Sequence, residues 1–214
     1  MTTTIARSGT ARAARPARVA RVARVARVAR LVTDGLDPKT WIIADSLLVG
    51  WHTDRLAGIG WGLFGCLFAA GIPLAFIKYG IRRGRWADRH VGPRPQRILV
   101  MTFAGASVAT GTLLLWALGA PRTMTALIAA MLVTLAALLA VTPAWKISVH
   151  AGVSAGSVAM LAMTHGPWVL LACPVVAAVG WSRVVLRDHT LAQVLAGTAM
   201  GAAVAAATFA SLAR

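Results

Sequence analysis

Residues 123–145, TMTALIAAMLVTLAALLAVTPAW, run for 23 positions without a charged side chain. A helix needs about 20 predominantly apolar residues to cross the hydrocarbon core of a bilayer, and this stretch supplies them. The pattern recurs along the chain. Ala57–Ile77 holds 21 uncharged residues, Ile98–Pro121 holds 24 and Thr190–Ala213 holds 24. Ala151–Trp181 is interrupted at Thr164-His165-Gly166-Pro167, which divides it into two shorter spans. Lipid offers no partners to backbone N–H and C=O groups, so blocks of this kind must be helical. The reading is an all-α, polytopic membrane bundle of about six transmembrane helices, near 57–79, 98–118, 122–143, 148–163, 167–181 and 190–212. Trp41–Trp51 is apolar but only 11 residues long, and reads as an interfacial or re-entrant piece.

Composition agrees. Of 214 residues, 58% are hydrophobic and 13% charged, against about 45–50% and about 25% in soluble domains. A disordered basic protein would be poor in apolar residues, and this chain is rich in them. The net charge of +16 is concentrated at the N-terminus, where Arg7 to Arg30 carries eight arginines and no acid. From Ala17 the chain repeats Ala-Arg-Val, and a period of three does not hold one stripe on a helix. Residues 1–40 therefore read as a low-complexity, disordered extension, 41–56 as the interfacial or re-entrant segment, and 57–214 as the membrane domain. The arm is either solvated and topogenic or a binder of anionic lipid headgroups. Nucleic acid is not an expected partner, because no fold presents the charge. No apolar core follows the arginines directly, so the arm does not read as a secretory signal.

The short motifs are mostly packing signals. Gly60-Trp-Gly62-Leu-Phe-Gly65 spells a dinucleotide fingerprint but lies inside a span, with no strand before it. Gly152-x-x-x-Gly156 and Gly197-x-x-x-Gly201 suit close helix–helix approach in lipid. Trp51, Trp61, Trp86, Trp116, Trp145, Trp168 and Trp181 fall near span ends, as an aromatic belt requires. Cys66 and Cys173 lie in apolar runs and read as core residues.

With six spans, three loops share one side. Residues 80–97 carry Arg82, Arg83, Arg85, Arg89, His90, Arg94 and Arg97; residues 144–150 carry Lys146, Ser148 and His150; residues 182–189 carry Ser182, Arg183, Arg187, Asp188 and His189. Arginine clusters fit phosphate through planar, bidentate donors. Histidine serves as nucleophile or general acid near neutral pH. Helix N-termini beginning at these loops add donors for the same anion. No paired carboxylates and no metal-ligand spacing accompany them, so neither metal nor cofactor is expected. The constellation reads as a membrane-face phosphoryl-transfer site, with topogenic loops as the bland alternative.

Ser182-Arg183-x5-His189-x3-Gln193 resembles the third motif of the type-2 phosphatidic acid phosphatase superfamily, S-R-x5-H-x3-D. Ser148-Val149-His150 resembles its second motif, S-G-H, and His90-x6-Arg97 lies where its first, K-x6-R-P, falls. The resemblance covers about residues 57–212 and implies a metal-independent phosphatase of six helices. It implies His189 as the nucleophile forming a phosphohistidine and His150 as the general acid. Arg97, Arg183 and Ser148 would hold the phosphate, with Ser182, Lys146, Arg89 and His90 around it. Four positions depart from the pattern. His90 replaces Lys, Ile98 replaces Pro, Val149 replaces Gly and Gln193 replaces Asp. Lys146 and Arg89 are the cations able to stand in for the lysine. Gln193, one helical turn beyond His189, can accept the imidazole N–H but brings no negative charge.

The implied activity is hydrolysis of a phosphate monoester or diphosphate on a lipid or prenyl substrate. A catalytically weak relative that binds phosphorylated lipid, and a small non-enzymatic transporter or scaffold, are the other classes. The expected location is the cell membrane, multi-pass. Six spans put the basic arm and the site loops on opposite sides. The positive-inside rule, with the site arginines discounted, then sets the N-terminus in the cytoplasm and the site outside.

Overall fold

The computed structural model describes residues 8–86 and 94–214, with side chains from 19–86 and 95–214. Among the described residues the chain is helical and holds no strand. The order is α1 (Ser8–Gly35), α2 (Pro38–Cys66), a π turn (Leu67–Gly71), α3 (Ile72–Arg82), α4 (Arg94–Ala117), α5 (Arg122–Val141) and α6 (Val149–His165). A 3-10 turn (Pro167–Ala172), α7 (Cys173–Val185) and α8 (Leu191–Leu212) complete it. Five stretches are long and apolar enough to cross a membrane: Pro38–Arg82, Pro95–Ala117, Arg122–Val141, Pro167–Val185 and Leu191–Leu212. The 17-residue α6 is shorter than a typical span, yet it is the central helix. It packs on α8, α2, α7 and α5, and buries Ala151, Gly152, Ala155, Val158, Met160 and Leu161. This is an all-α polytopic bundle.

The first apolar stretch is a hairpin. Asp54 (φ −152°, ψ 38°) and Arg55 (φ 46°, ψ −123°) leave the helical region, and the chain reverses there. In a straight helix Gly50 and Gly58 would stand about 12 Å apart. Here a methyl on Gly50 would lie 2.4 Å from the Gly58 carbonyl oxygen, and one on Gly62 would lie 2.4 Å from that of Ser46. Small residues at 50, 58 and 62 let the two backbones touch. So Trp41–Trp51, read as an interfacial or re-entrant piece, is the first arm of an antiparallel helical pair. The glycines of the apparent dinucleotide fingerprint serve this packing: Gly62 meets Ser46, and Gly65 meets Ile128. Further on, Pro73 lacks an N–H, and the Leu67–Gly71 π turn absorbs the break, with Ile72 N–H reaching the Leu67 carbonyl.

The two small-residue motifs pack as their spacing predicts. α6 and α8 run parallel in register, Ser148 against Gly197, Gly152 against Gly201 and Gly156 against Ala205. A methyl on Gly201 would lie 2.0 Å from the Gly152 carbonyl oxygen, so only glycine fits.

Three further expectations need correction. The arm, read as disordered, is helical from Ser8 to Gly35; it packs on α7 and buries Ala29 and Thr33, small residues one turn apart. Trp86 is not in a belt. It is 6% exposed, covers Gly80 and donates to the Ile77 carbonyl at 2.9 Å. Cys173 is exposed rather than in the core.

The hairpin also changes the sidedness. Thr33 Oγ1 and Ser182 Oγ are hydrogen-bonded at 2.9 Å, and Asp37 and Lys39 line the same cavity as Lys146 and His189. The end of the arm and the site loops therefore lie at one end of the bundle, not on opposite sides. His52, His165, Arg122 and Leu212 gather at the other end; the two imidazole centroids are 4.8 Å apart, and Arg122 Nε donates to the Leu212 carbonyl at 3.0 Å.

Candidate functional site

A cavity of about 640 Å³ opens at the arm end of the bundle. Its mouth is lined by Arg97, Lys146, His150, Arg183, Asp188 and His189, and its interior by apolar side chains including Leu74, Ile77, Val100, Met101, Leu135 and Met160. The sequence-predicted residues His189, His150, Arg183, Arg97 and Lys146 thus line one cavity, drawn from three stretches of the chain. His90 and Arg89 lie outside the described residues.

The parallel α6–α8 pair builds the mouth. Both helices begin there, α6 capped by Ser148 and α8 by Thr190. Ser148 N–H donates to the Gln193 carbonyl at 3.2 Å, which ties one helix start to the other. His189, 9% exposed, donates from Nδ1 to the Lys146 carbonyl at 3.1 Å, since a carbonyl can only accept. That contact fixes the tautomer, with the proton on Nδ1 and the lone pair on Nε2. Burial first, and then the charges of Arg183, Lys146 and Arg97, push the His189 imidazole down to about 4, against the opposing pull of the Lys146 carbonyl. The ring is therefore neutral at physiological pH, the state in which its Nε2 lone pair is available.

Arg183 is 5% exposed, and its Nη2 pairs with Asp188 Oδ2 at 3.0 Å. Its Nε has no hydrogen-bond partner among the described residues. The α7 end wraps back on it, with Asp188 N–H and His189 N–H both donating to the Arg183 carbonyl at 3.1 and 3.3 Å. The reversal is completed by Arg187 at φ 58°. The spacing from Arg183 to His189 is thus the length of one tight turn. Arg97 Nη2 donates to the Ile147 carbonyl at 3.2 Å, anchoring α4 to the loop before α6.

Three assigned residues take other roles. Gln193 does not accept the imidazole N–H: its Oε1 accepts from Thr190 N–H at 3.0 Å while its own N–H donates to Thr190 Oγ1 at 3.3 Å. This is a capping box, which satisfies two orphan donors of the helix start. The orienter of His189 is instead the Lys146 carbonyl. Ser148 Oγ accepts from Ala151 N–H at 3.4 Å as the α6 N-cap. Ser182 Oγ donates to the Val179 carbonyl at 2.7 Å and bonds Thr33. Ser148, Ser182 and Gln193 do not line the cavity.

Asp188, Asp37 and Lys39 belong to the mouth and escaped the motif reading. The signal for the last two was present: Asp37-Pro38 is an N-cap followed by proline at the first helical position, which sets Lys39 in the first turn of a helix. Compared with known family models, curated proteins and solved structures, the chain matches none.

Proposed function

We propose that the protein is an integral-membrane phosphatase acting on a phosphate monoester or diphosphate of a lipid or prenyl amphiphile. The observation that carries this reading is the cavity, which joins a cationic mouth holding two histidines to an apolar interior. In the proposed reaction His189 Nε2 attacks phosphorus as the bond to the leaving oxygen breaks. His150 gives that oxygen its proton. A water, deprotonated by His150, then cleaves the phosphorus–nitrogen bond and releases inorganic phosphate. Arg183, Arg97 and Lys146 supply fixed positive charge to the equatorial oxygens, the kind of preorganised stabilisation that dominates phosphoryl transfer. The apolar interior suits a hydrocarbon tail.

The arm and the site loops share one end of the bundle, so the positive-inside rule now favours one orientation. The site and N-terminus both face the cytoplasm, in the cell membrane, with the exposed Arg21, Arg24, Arg27 and Arg30 available to anionic headgroups. A second reading, a binder of phosphorylated lipid with little turnover, is favoured by one observation. His189 Nδ1 is held by a neutral carbonyl, which does not stabilise imidazolium as a carboxylate would. Phosphate release from lysophosphatidic, phosphatidic and prenyl phosphates by purified protein separates the two, together with a search for acid-labile phosphate on His189. Release abolished in His189→Ala supports the phosphatase. Tight binding without release supports the binder, and neither property in the folded protein overturns both.

A further inference from the structure

We propose that Lys39 is an anion-binding residue of this site, held on Asp37 while the site is empty and transferred to the phosphate group when substrate enters. The inference rests on the phosphate-handling reading above and adds to it a ligand from the arm–hairpin junction, a segment outside every motif.

Position comes first. Asp37 caps α2, its Oδ1 accepting from Thr40 N–H at 3.2 Å and from Thr40 Oγ1 at 3.1 Å. Pro38 fixes the first helical residue, so Lys39 leaves the helix start in a defined direction. The junction is itself anchored, since Thr33 is hydrogen-bonded to Ser182, the residue before Arg183. Lys39 and Asp37 line the cavity that Arg183, His189, Arg97 and Lys146 line. The cation thus stands in the mouth on a chain segment separate from the α6–α8 pair.

Charge comes second. Lys39 Nζ pairs with Asp37 Oδ2, and the lysine side chain is 34% exposed. The lysine end of the pair is open to water while the Asp37 side chain is only 10% exposed, so the ammonium is the partner free to move. Asp37 does not depend on it, because its other oxygen keeps both bonds to Thr40 when the lysine departs. A phosphate dianion carries more charge than the carboxylate it would replace, so transfer is favourable. Arg183 is likewise paired with an aspartate, Asp188, though there the cation is the buried partner. Two mouth cations are each held by a nearby aspartate, which keeps the empty site from repelling itself. A lysine is a mobile point charge without the planar fork of arginine. Its contribution is capture and charge balance, with little selection of geometry, and should fall more on KM than on kcat.

The experiment uses full-length protein in detergent, with inorganic phosphate as the binding probe and a single-chain lipid phosphate as the turnover probe. Lys39→Met should raise both the Kd for phosphate and KM about tenfold, the scale of one charge-assisted hydrogen bond, with a smaller fall in kcat. Lys39→Arg should recover most of the loss. Asp37→Asn gives the opposite sign: asparagine caps a helix as well as aspartate does, so α2 is kept while Lys39 is released, and phosphate should bind as tightly as in the parent or more so. Thermal melts certify that each variant is folded. Parental phosphate affinity in Lys39→Met overturns the proposal while leaving the phosphatase reading intact. So does an Asp37→Asn variant weakened as much as Lys39→Met, which would make the pair structural. A folded parent that neither binds nor releases phosphate removes the site reading, and Lys39 with it.

Discussion

Gly197→Ala is the sharpest test of how the bundle builds the site. The added methyl would sit 2.5 Å from the Ser148 carbonyl oxygen, with the carbonyl carbon at 3.3 Å and the amide nitrogen at 3.4 Å. These are backbone atoms, so no side chain can swing aside; the start of α8 must move away from α6. One turn earlier, that same start carries the Gln193 carbonyl that holds Ser148 N–H, and just before it His189 reaches the Lys146 carbonyl. The displacement needed is several tenths of an ångström, and a shift on the order of 1 Å at a catalytic group costs about 10²-fold in rate. Overpacking itself costs about 1–3 kcal/mol. The expected result is a drop of about 10- to 100-fold in kcat for phosphate release, with a lower thermal midpoint in detergent. The control is Gly105→Ala on α4, where no atom lies within 4 Å of the added methyl. That change removes a helical glycine and should leave stability equal or raised by about 0.5–1 kcal/mol. If Gly197→Ala matched Gly105→Ala in melting and turnover, the in-register contact between α6 and α8 would be wrong, and the site geometry derived from it would go too.

Other outcomes can be checked in the same preparation. The His189 imidazole is pushed from 6.5 to about 4, so the acid limb of kcat/KM assigned to the nucleophile should fall near the lower value. A ring with a depressed value in the folded state is protonated more readily when unfolded, so its share of stability is present above 6.5 and lost as pH falls towards 4. His189→Gln should flatten the melting profile across that window, and an unchanged slope would refute the assignment. Arg183→Lys keeps the charge and loses the fork, and should lower kcat/KM by about 10²-fold; a change within about threefold would count against a phosphate clamp. Asp45 is fully buried, with the Ser157 side chain as the polar group beside it. Asp45→Asn removes any need to bury a bare charge at membrane depth and should melt at or above the parent; a fall of several degrees would show that the charge is used. Deleting residues 1–18 should leave turnover intact, whereas deleting 1–33 removes Ala29 and the Thr33–Ser182 bond and should lower both stability and activity. Cysteine accessibility at Gly84 and His165 should label the two from opposite sides of the membrane.

The apolar blocks were legible because lipid imposes one requirement, about 20 uncharged residues in a row, that composition alone can meet or fail. The α6–α8 contact was legible for a similar reason, since glycine spacing is a local signal of backbone approach. The hairpin was hidden because its first arm is short and carries Asp45, and because the reversal at Asp54 and Arg55 uses neither glycine nor proline. Of the site, His189, His150, Arg183, Arg97 and Lys146 could be gathered from motif order. Gln193 could not be placed correctly, since spacing one turn beyond His189 permits contact with the imidazole but equally permits the capping box that Thr190 completes. Ser148 and Ser182 mislead in the same way: a hydroxyl beside a cation reads as a ligand, while a helix start and a buried backbone carbonyl claim it first. Lys39 lies far from the motifs in sequence, and only the doubling back of α2 brings it to the mouth.

The tight reversal at Asp54 and Arg55 bears on how the chain enters the bilayer. The two arms meet through Gly50, Gly58 and Gly62 without intervening side chains, so they form one compact wedge. The first arm, with Asp45 on it, is a poor passenger alone; in the assembled bundle that carboxyl is fully buried, with Ser157 of α6 beside it. A translocation machine handling this segment has to accept both arms together, and only the short polar tip around His52, Asp54 and Arg55 needs to be carried across. In the orientation proposed above, the eight arginines that precede it would stay where they are made. Orientation would be fixed by the first element to insert, before any later helix has left the ribosome.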